Sequence, residues 1–374
     1  MRRLTIISHT KHYHTIDGTV VGWGATVTEI NHLLDIFDDI KHIAMVYDEI
    51  APPSAIPYAS NKIHFIQIPT VGGRKISDKF SIVTKAPKII KIINDALRDS
   101  DYFQFRAPTG IGVFVIPYLI FFNTNKGWFK YAGNWKQENA PLAYNFQKWM
   151  LKNQNRKVTI NGFWTNQPNH CLSFQNPCLS KEELEAGIVC IKEKNFEPPL
   201  NFCFVGRLES AKGLDIILDA FDSLDDLTKK KIGSLHLVGD GDRLAFYKKK
   251  AKSINVEIIF HGLLSRIEVQ EIYKKSHAIV LPSASEGFPK VIMEALNFGC
   301  VPIVSNISSI GHYIIDGKNG FLLEDISTLA LKNILHLLLS FKTIDLNEII
   351  NDNADLINSF TYDHYNSRLL KYIL

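Results

Sequence analysis

Residues 278–305 read AIVLPSASEGFPKVIMEALNFGCVPIVS. The apolar run 278–281 gives way to a polar loop. A helical stretch then spans 289–299 with Pro289 in its first turn, and a second apolar run covers 301–304. Proline suits a first helical turn because the amide it lacks would have no partner there. Strand, loop, helix and strand in this order spell one βαβ unit of a parallel sheet.

The same alternation extends upstream. Strand-like runs occupy 202–205, 235–238 and 257–260, with helical patterns at 213–223, 242–253 and 266–276. Parallel sheets of this kind are covered on both faces and bind ligands at the carboxyl ends of their strands. The first half is less regular but also α/β. Strands are expected at 4–8, 42–47, 63–68, 102–105, 128–131 and 158–161. Helices are expected from about residue 25 toward 37 and over 87–97, and another helix-like stretch covers 359–374. With 374 residues the chain exceeds one ordinary core. Two consecutive prolines at Glu197-Pro198-Pro199 mark the expected linker, because neither continues a helix. The expected organisation is a first domain over 1–195, a second over 200–357 and a terminal helix over 358–374.

Composition excludes several classes. A net charge of +4 is too slight to argue for nucleic acid, and the Lys229–Lys231 and Lys248–Lys250 runs read as solvated helix faces. The five cysteines, Cys171, Cys178, Cys190, Cys203 and Cys300, form no CxxC pair, so a zinc knuckle or disulfide framework is not expected and a reducing cytosol is. Met1-Arg2-Arg3 leads at once into an apolar strand without a signal-peptide pattern. The most apolar stretch, 111–122, is shorter than a bilayer span and contains Pro117. Any membrane contact is therefore expected to be peripheral.

Chemistry concentrates at the strand ends of the second half. Phe204-Val205-Gly206-Arg207-Leu208 leads to Lys212-Gly213. Gly206 permits close backbone approach, while Arg207 and Lys212 supply a fork and a point charge for phosphate oxygens. Gly239-Asp240-Gly241 forms a turn, after which Asp242 is placed to cap a helix. In the loop before the 289–299 helix stands Glu286, and Glu294 lies one to two turns inside it. A helix N-terminus attracts diphosphate, and a carboxylate accepts hydrogen bonds from ribose hydroxyls.

Together these residues resemble the signature of the family 4 retaining glycosyltransferases, which have the two-domain fold called GT-B. The matching elements are EGFPKVIMEA at 286–295, FVGRL with Lys212-Gly213, the Gly-containing turn at 238–241, VPIVS at 301–305 and DGKNGFL at 316–322. The resemblance covers about residues 200–325. It implies two Rossmann-like domains facing a central cleft and a nucleoside-diphosphate sugar as co-substrate, with no metal and no other cofactor. It also implies roles: Arg207 and Lys212 hold the diphosphate, Glu286 faces the sugar, Gly287 and Phe288 offer backbone amides, Gly239 lies in the donor site and Glu294 binds ribose.

In the first half, the glycine loop 17–24 lacks an adjacent Gly-Gly pair. Gly22, Trp23 and Gly24 remain cleft candidates, with Trp23 a possible stacking surface. His9, His12 and His14 follow the first strand without a carboxylate or cysteine at metal-site spacing, and read as a polar loop. Arg106 ends a strand where the family often has a histidine facing the sugar. Segment 74–98 mixes Lys85, Lys88 and Lys91 with isoleucines, as a basic amphipathic helix on an anionic leaflet would.

The function implied is hexosyl transfer, with retained configuration, to a saccharide or lipid-linked saccharide. Its setting is bacterial surface polysaccharide assembly at the cytoplasmic side of a membrane. Two alternatives stand beside it: a non-hydrolysing nucleotide-sugar epimerase, and a catalytically silent binding subunit.

Overall fold

The computed structural model describes residues 1–73, 81–137, 139–351 and 353–374. Runs of β-branched and aromatic residues form two sheets, each in its own compact unit. The first unit comprises Met1–Asn176 with Tyr362–Leu374, and the second is Pro177–Thr361.

Strands of the first unit are β1 (Arg3–His14), β2 (Val20–Trp23), β3 (Asp39–Val46), β4 (Ala55–Pro57), β5 (Ile63–Ile68), β6 (Tyr102–Ala107), β7 (Lys126–Tyr131), β8 (Val158–Ile160) and β9 (Cys171–Ser173). The parallel path runs β5-β3-β1-β6-β7-β8-β9. The C-terminal end of β1, His12–His14, pairs antiparallel with β2, which in turn pairs antiparallel with β4. This corrects the expected short strand and glycine loop. The chain continues as a strand to His14, turns over Thr15–Thr19 with Gly18 at φ 82°, and returns as β2. Burial of Tyr13 and Val21, which pair across the hairpin, favours this extension.

Helices of the first unit include α1 (Gly24–His32), α2 (Ala86–Leu97), α3 (Gly112–Phe121) and α4 (Leu142–Lys152). α2 buries Ile89, Ile93, Ala96 and Leu97, so its apolar face lies in the core and not free for a lipid surface. The start of the basic segment, residues 74–80, lies outside the described residues. The apolar stretch 111–122 is α3, with Pro117 inside it. Among the described residues, no helix is long and apolar enough to cross a membrane.

The boundary between units falls at Asn176/Pro177, not at the prolines near 198. The reason is α5 (Lys181–Glu193), which already packs on the second core. A Cβ at Gly187 would lie 2.3 Å from Asn297 O, and Asn297 Nδ2 donates to Glu183 O at 2.8 Å. Just beyond α5, the Lys194 ammonium donates to Tyr273 O at 3.0 Å and Ser276 O at 2.6 Å.

In the second unit β10 (Leu200–Val205), β11 (Ile232–Val238), β12 (Glu257–Gly262), β13 (Ala278–Leu281), β14 (Val301–Ser305) and β15 (Phe321–Leu323) lie parallel in the order β12-β11-β10-β13-β14-β15. Counted within the unit this is 3-2-1-4-5-6, the doubly wound order. β15 adds a strand that the sequence showed only as the turn before it. The helices α6 (Leu214–Asp222), α7 (Leu244–Ala251), α8 (Arg266–Lys275) and α9 (Lys290–Asn297) alternate with the strands. α9 buries Ile292, Met293, Ala295 and Leu296, the spacing of a helix with one side in a core. The terminal helix α10 (Tyr362–Tyr372) belongs to the first unit, where His32 stacks on Tyr362 at 4.1 Å and Asn366 Nδ2 donates to His32 O at 2.6 Å.

Candidate active site

The order of the second sheet reverses between the paired strands β10 and β13. Connections leaving these two strands depart to opposite faces, which opens a crevice at their carboxyl ends. Two loops meet there. Ala284 N donates to Ala211 O at 2.9 Å, and Gly213 adopts φ +76° with its missing Cβ only 2.2 Å from Pro282 O. No side chain fits at Gly213 without parting the loops.

Across this junction Lys212 Nζ donates to Glu286 Oε1 at 2.5 Å. Both side chains are largely buried, 23% and 11% exposed, and they come from loops that follow different strands. The pair joins the sequence-predicted cation and carboxylate directly. Arg207 is also at the end of β10, but its side chain is 67% exposed and paired with Glu209.

Glycines let neighbouring strand ends close on one another. A Cβ at Gly239 would lie 1.9 Å from Gly206 O, and one at Gly241 2.5 Å from Leu208 O. Gly206 N donates to Val238 O at 3.0 Å, and Leu208 N to Asp240 O at 2.9 Å. Asp242 does not cap α7: the cap position is Arg243, with no side-chain bond.

Beyond Glu286, Gly287 O accepts from Ser308 Oγ at 2.7 Å and from Ser309 Oγ at 3.3 Å. Phe288 is buried against Tyr313 and Phe360, with ring centroids 5.0 and 5.1 Å away. The loop is thus anchored by a carbonyl and a ring. α9 has no side chain capping its N-terminus, which suits an anion. Ser283, fully buried at the same strand end, has a hydroxyl with no partner among the described residues.

Glu294 has a protein partner that the sequence reading missed. Arg266 Nη1 lies 3.1 Å from its Oε1, and Tyr273 OH donates to Oε2 at 3.5 Å. The same guanidinium grips Glu183 through Nε at 2.6 Å and Nη2 at 2.8 Å, and also bonds Cys178 O. The legible signal was the Ser265-x-x-Glu268 capping box, which fixes Arg266 as the first residue of α8.

Three of the four candidates of the first unit are engaged within that unit. Gly22 admits the His12 ring, whose Nε2 would lie 2.4 Å from a Cβ there, and Gly24 admits Ser54 O at the same distance. Trp23 is 58% exposed. Arg106 is turned inward, donating to Gln104 Oε1 at 2.9 Å and to the buried Glu29 at 2.9 Å, which Lys130 also reaches at 2.5 Å. It is committed to a buried ion cluster.

The histidines lie along β1, not in a loop. His12 is buried. Its Nδ1 donates to Thr10 O at 3.0 Å, so its Nε2 accepts from Tyr58 OH at 2.8 Å. The Tyr58 oxygen then accepts from His42 Nδ1 at 2.6 Å, and His42 Nε2 accepts from Ser8 Oγ at 2.8 Å. Burial pushes His12 down to about 4 and His42 well below the usual imidazole range. Among the described residues, no group of three or more His, Cys, Asp or Glu is placed to hold a metal.

Two Rossmann-like units in one chain define the GT-B class, and solved structures of that class agree. Sucrose-phosphate synthase from Thermosynechococcus elongatus aligns over 99% of this chain and 98% of its own, with a TM-score of 0.73 at 14% identity. Anabaena HepE in complex with UDP aligns over 99% of both chains, with a TM-score of 0.69 at 13% identity. Residues 191–355 match the model of the glycosyl transferases group 1 family. The switch point between β10 and β13 lies inside the matched residues. Among curated relatives, an α-1,4-N-acetyl-D-galactosaminyltransferase of Campylobacter jejuni, named for a diphospho-undecaprenol-linked substrate, is 28% identical over 200 residues, 53% of each chain. The chain spans between a third and about half of the length of the curated relatives it matches.

Proposed function

We propose that this protein transfers a hexosyl unit from a nucleoside-diphosphate sugar to a saccharide or lipid-linked saccharide, with retained anomeric configuration, in the assembly of a bacterial surface polysaccharide. The observation that carries the reading is the Lys212–Glu286 pair at the β10/β13 switch point, in front of an uncapped helix N-terminus.

In this reading the diphosphate lies against the α9 amides and draws the Lys212 ammonium from Glu286. Arg207 leaves its exposed partner Glu209 and adds its guanidinium. As the bond from the sugar's anomeric carbon to the diphosphate breaks, negative charge grows on the leaving oxygen, where preplaced cations and amide dipoles stabilise it. The acceptor hydroxyl forms the new bond on the same face, and its proton passes to the departing diphosphate oxygen. Freed from Lys212, Glu286 accepts hydrogen bonds from the transferred sugar. Glu294 takes the ribose hydroxyls, and Arg266 holds its carboxylate in place. The named substrate of the Campylobacter relative and the UDP in the Anabaena structure support the donor and acceptor classes.

The test is incubation with UDP-, GDP-, ADP- and dTDP-sugars, with and without saccharide acceptors. Expected are nucleotide release that requires acceptor and a product whose anomeric coupling in NMR matches the donor's. Isomerisation without acceptor would mark an epimerase. Tight nucleotide binding with no product from any acceptor would mark a silent subunit.

A further inference from the structure

α4 is apolar on two faces. Gln147, Met150 and Leu151 are buried against the first unit. Leu142, Phe146 and Trp149, at i, i+4 and i+7, form a second stripe that faces water, 87%, 39% and 58% exposed. Phe146 stacks on Trp149 at 6.3 Å. At the end of the neighbouring α3, Phe121 and Phe122 are exposed as well, and Arg156 ties that end to the residues after α4 through Asn123 O and, at 2.6 Å, Asn125 O. Soluble monomers seldom leave aromatic side chains in such a group without a partner.

The segment that carries the stripe is predominantly basic. Residues 132–152 hold Lys136, Lys148 and Lys152 against a single acid, Glu138. Lys148 and Lys152 are one turn apart on the flank of the stripe. Burial, then the charges of Lys152 and Lys136, hold the Lys148 ammonium below its usual value. Lysine is depleted from the cores of protein interfaces, whereas lysine beside tryptophan, phenylalanine and leucine is the pattern of surfaces that sit in a headgroup layer.

We propose that the outward face of α4, with Leu142, Phe146 and Trp149 as its apolar anchor and Lys136, Lys148 and Lys152 as its basic rim, docks on an anionic lipid bilayer. The apolar side chains enter the boundary between headgroups and acyl chains, and the ammonium groups stay at the level of the phosphates. This face stands independently of the transferase reading, and its test does not use turnover.

The test is co-sedimentation of the full chain with phosphatidylcholine vesicles, with and without phosphatidylglycerol. Expected are partitioning that requires phosphatidylglycerol and weakens as salt rises, and a tenfold or greater loss in the combined Leu142→Ser, Phe146→Ser, Trp149→Ser variant. Lys148→Glu with Lys152→Glu should lose the lipid-charge preference. Unchanged melting temperature and nucleotide response confirm that the variants are folded with their donor site intact. Wild-type partitioning that ignores lipid charge, or a serine variant that binds as wild type does, overturns the proposal. So does a wild-type dimer that the serine variant renders monomeric without any lipid binding, because the stripe would then pair with a second copy.

Discussion

Lys212 Nζ lies 2.5 Å from Glu286 Oε1, although the two residues are 74 positions apart and follow different strands. Without ligand the pair keeps a cation and a carboxylate at the crevice in mutual compensation. In the proposed reaction a diphosphate competes for the cation and thereby releases the carboxylate. Lys212→Ala should therefore weaken nucleoside-diphosphate binding and lower kcat/KM by about a hundredfold or more. Glu286→Gln should lower kcat strongly and leave nucleotide affinity within a few-fold. Donor titrations and steady-state kinetics on both variants separate the two roles.

Gly213 holds the loops together by having no side chain. At φ +76°, with Pro282 O 2.2 Å from where a Cβ would stand, Gly213→Ala adds backbone strain to a clash. The variant should lose at least about 2 kcal/mol of stability, read from urea unfolding, and should bind donor more weakly than its residual fold would imply. An unchanged unfolding midpoint would contradict the close contact.

Arg266 bridges Glu183 and Glu294, whose side chains are 15% and 13% exposed. Removing the guanidinium strands two carboxylates in a poorly hydrated place. Arg266→Ala should cost about 3 kcal/mol, while Arg266→Lys should recover only part because it cannot fork. If Arg266 also positions Glu294 for ribose, Arg266→Lys should raise the KM for donor more than it lowers kcat.

The buried imidazoles set the acid limit. His12 is held near 4 in the folded chain against an ordinary 6.5, and His42, His236 and His277 shift the same way through burial. Between these values the unfolded chain binds more protons, so stability is fully present above about pH 6.5 and falls as pH drops toward 4. The melting temperature should decline steadily over that window, and His12→Asn should flatten the decline. A constant melting temperature from pH 7 to 4.5 would rule this out.

Much of the second unit was legible because its strands are short apolar runs separated by helices of regular spacing, as in 278–305. Glu286 and Lys212 were legible because each follows a strand in a motif of fixed order. What was hidden depends on pairing. Nothing local distinguishes a glycine that faces phosphate from Gly22, which makes room for the His12 ring. Arg106 looked available at a strand end, but Glu29, distant in sequence, binds it. The 197–199 prolines resembled a linker, yet α5 before them carries the Glu183 and Gly187 contacts that place it in the second unit. A basic amphipathic pattern drew attention to α2, whereas the exposed aromatic stripe lies on α4, where apolar residues on both faces blur the helical period.

The most direct test of the donor site is the melting temperature of wild type and Lys212→Ala in a panel of UDP, GDP, ADP, dTDP and their sugars, because a ligand bound only by the folded state raises it. At least one nucleoside diphosphate should stabilise the wild type by several degrees, and that shift should largely vanish in Lys212→Ala. If no member of the panel moves the wild type, or if Lys212→Ala responds as fully, then the crevice between β10 and β13 is not where a nucleotide sugar binds.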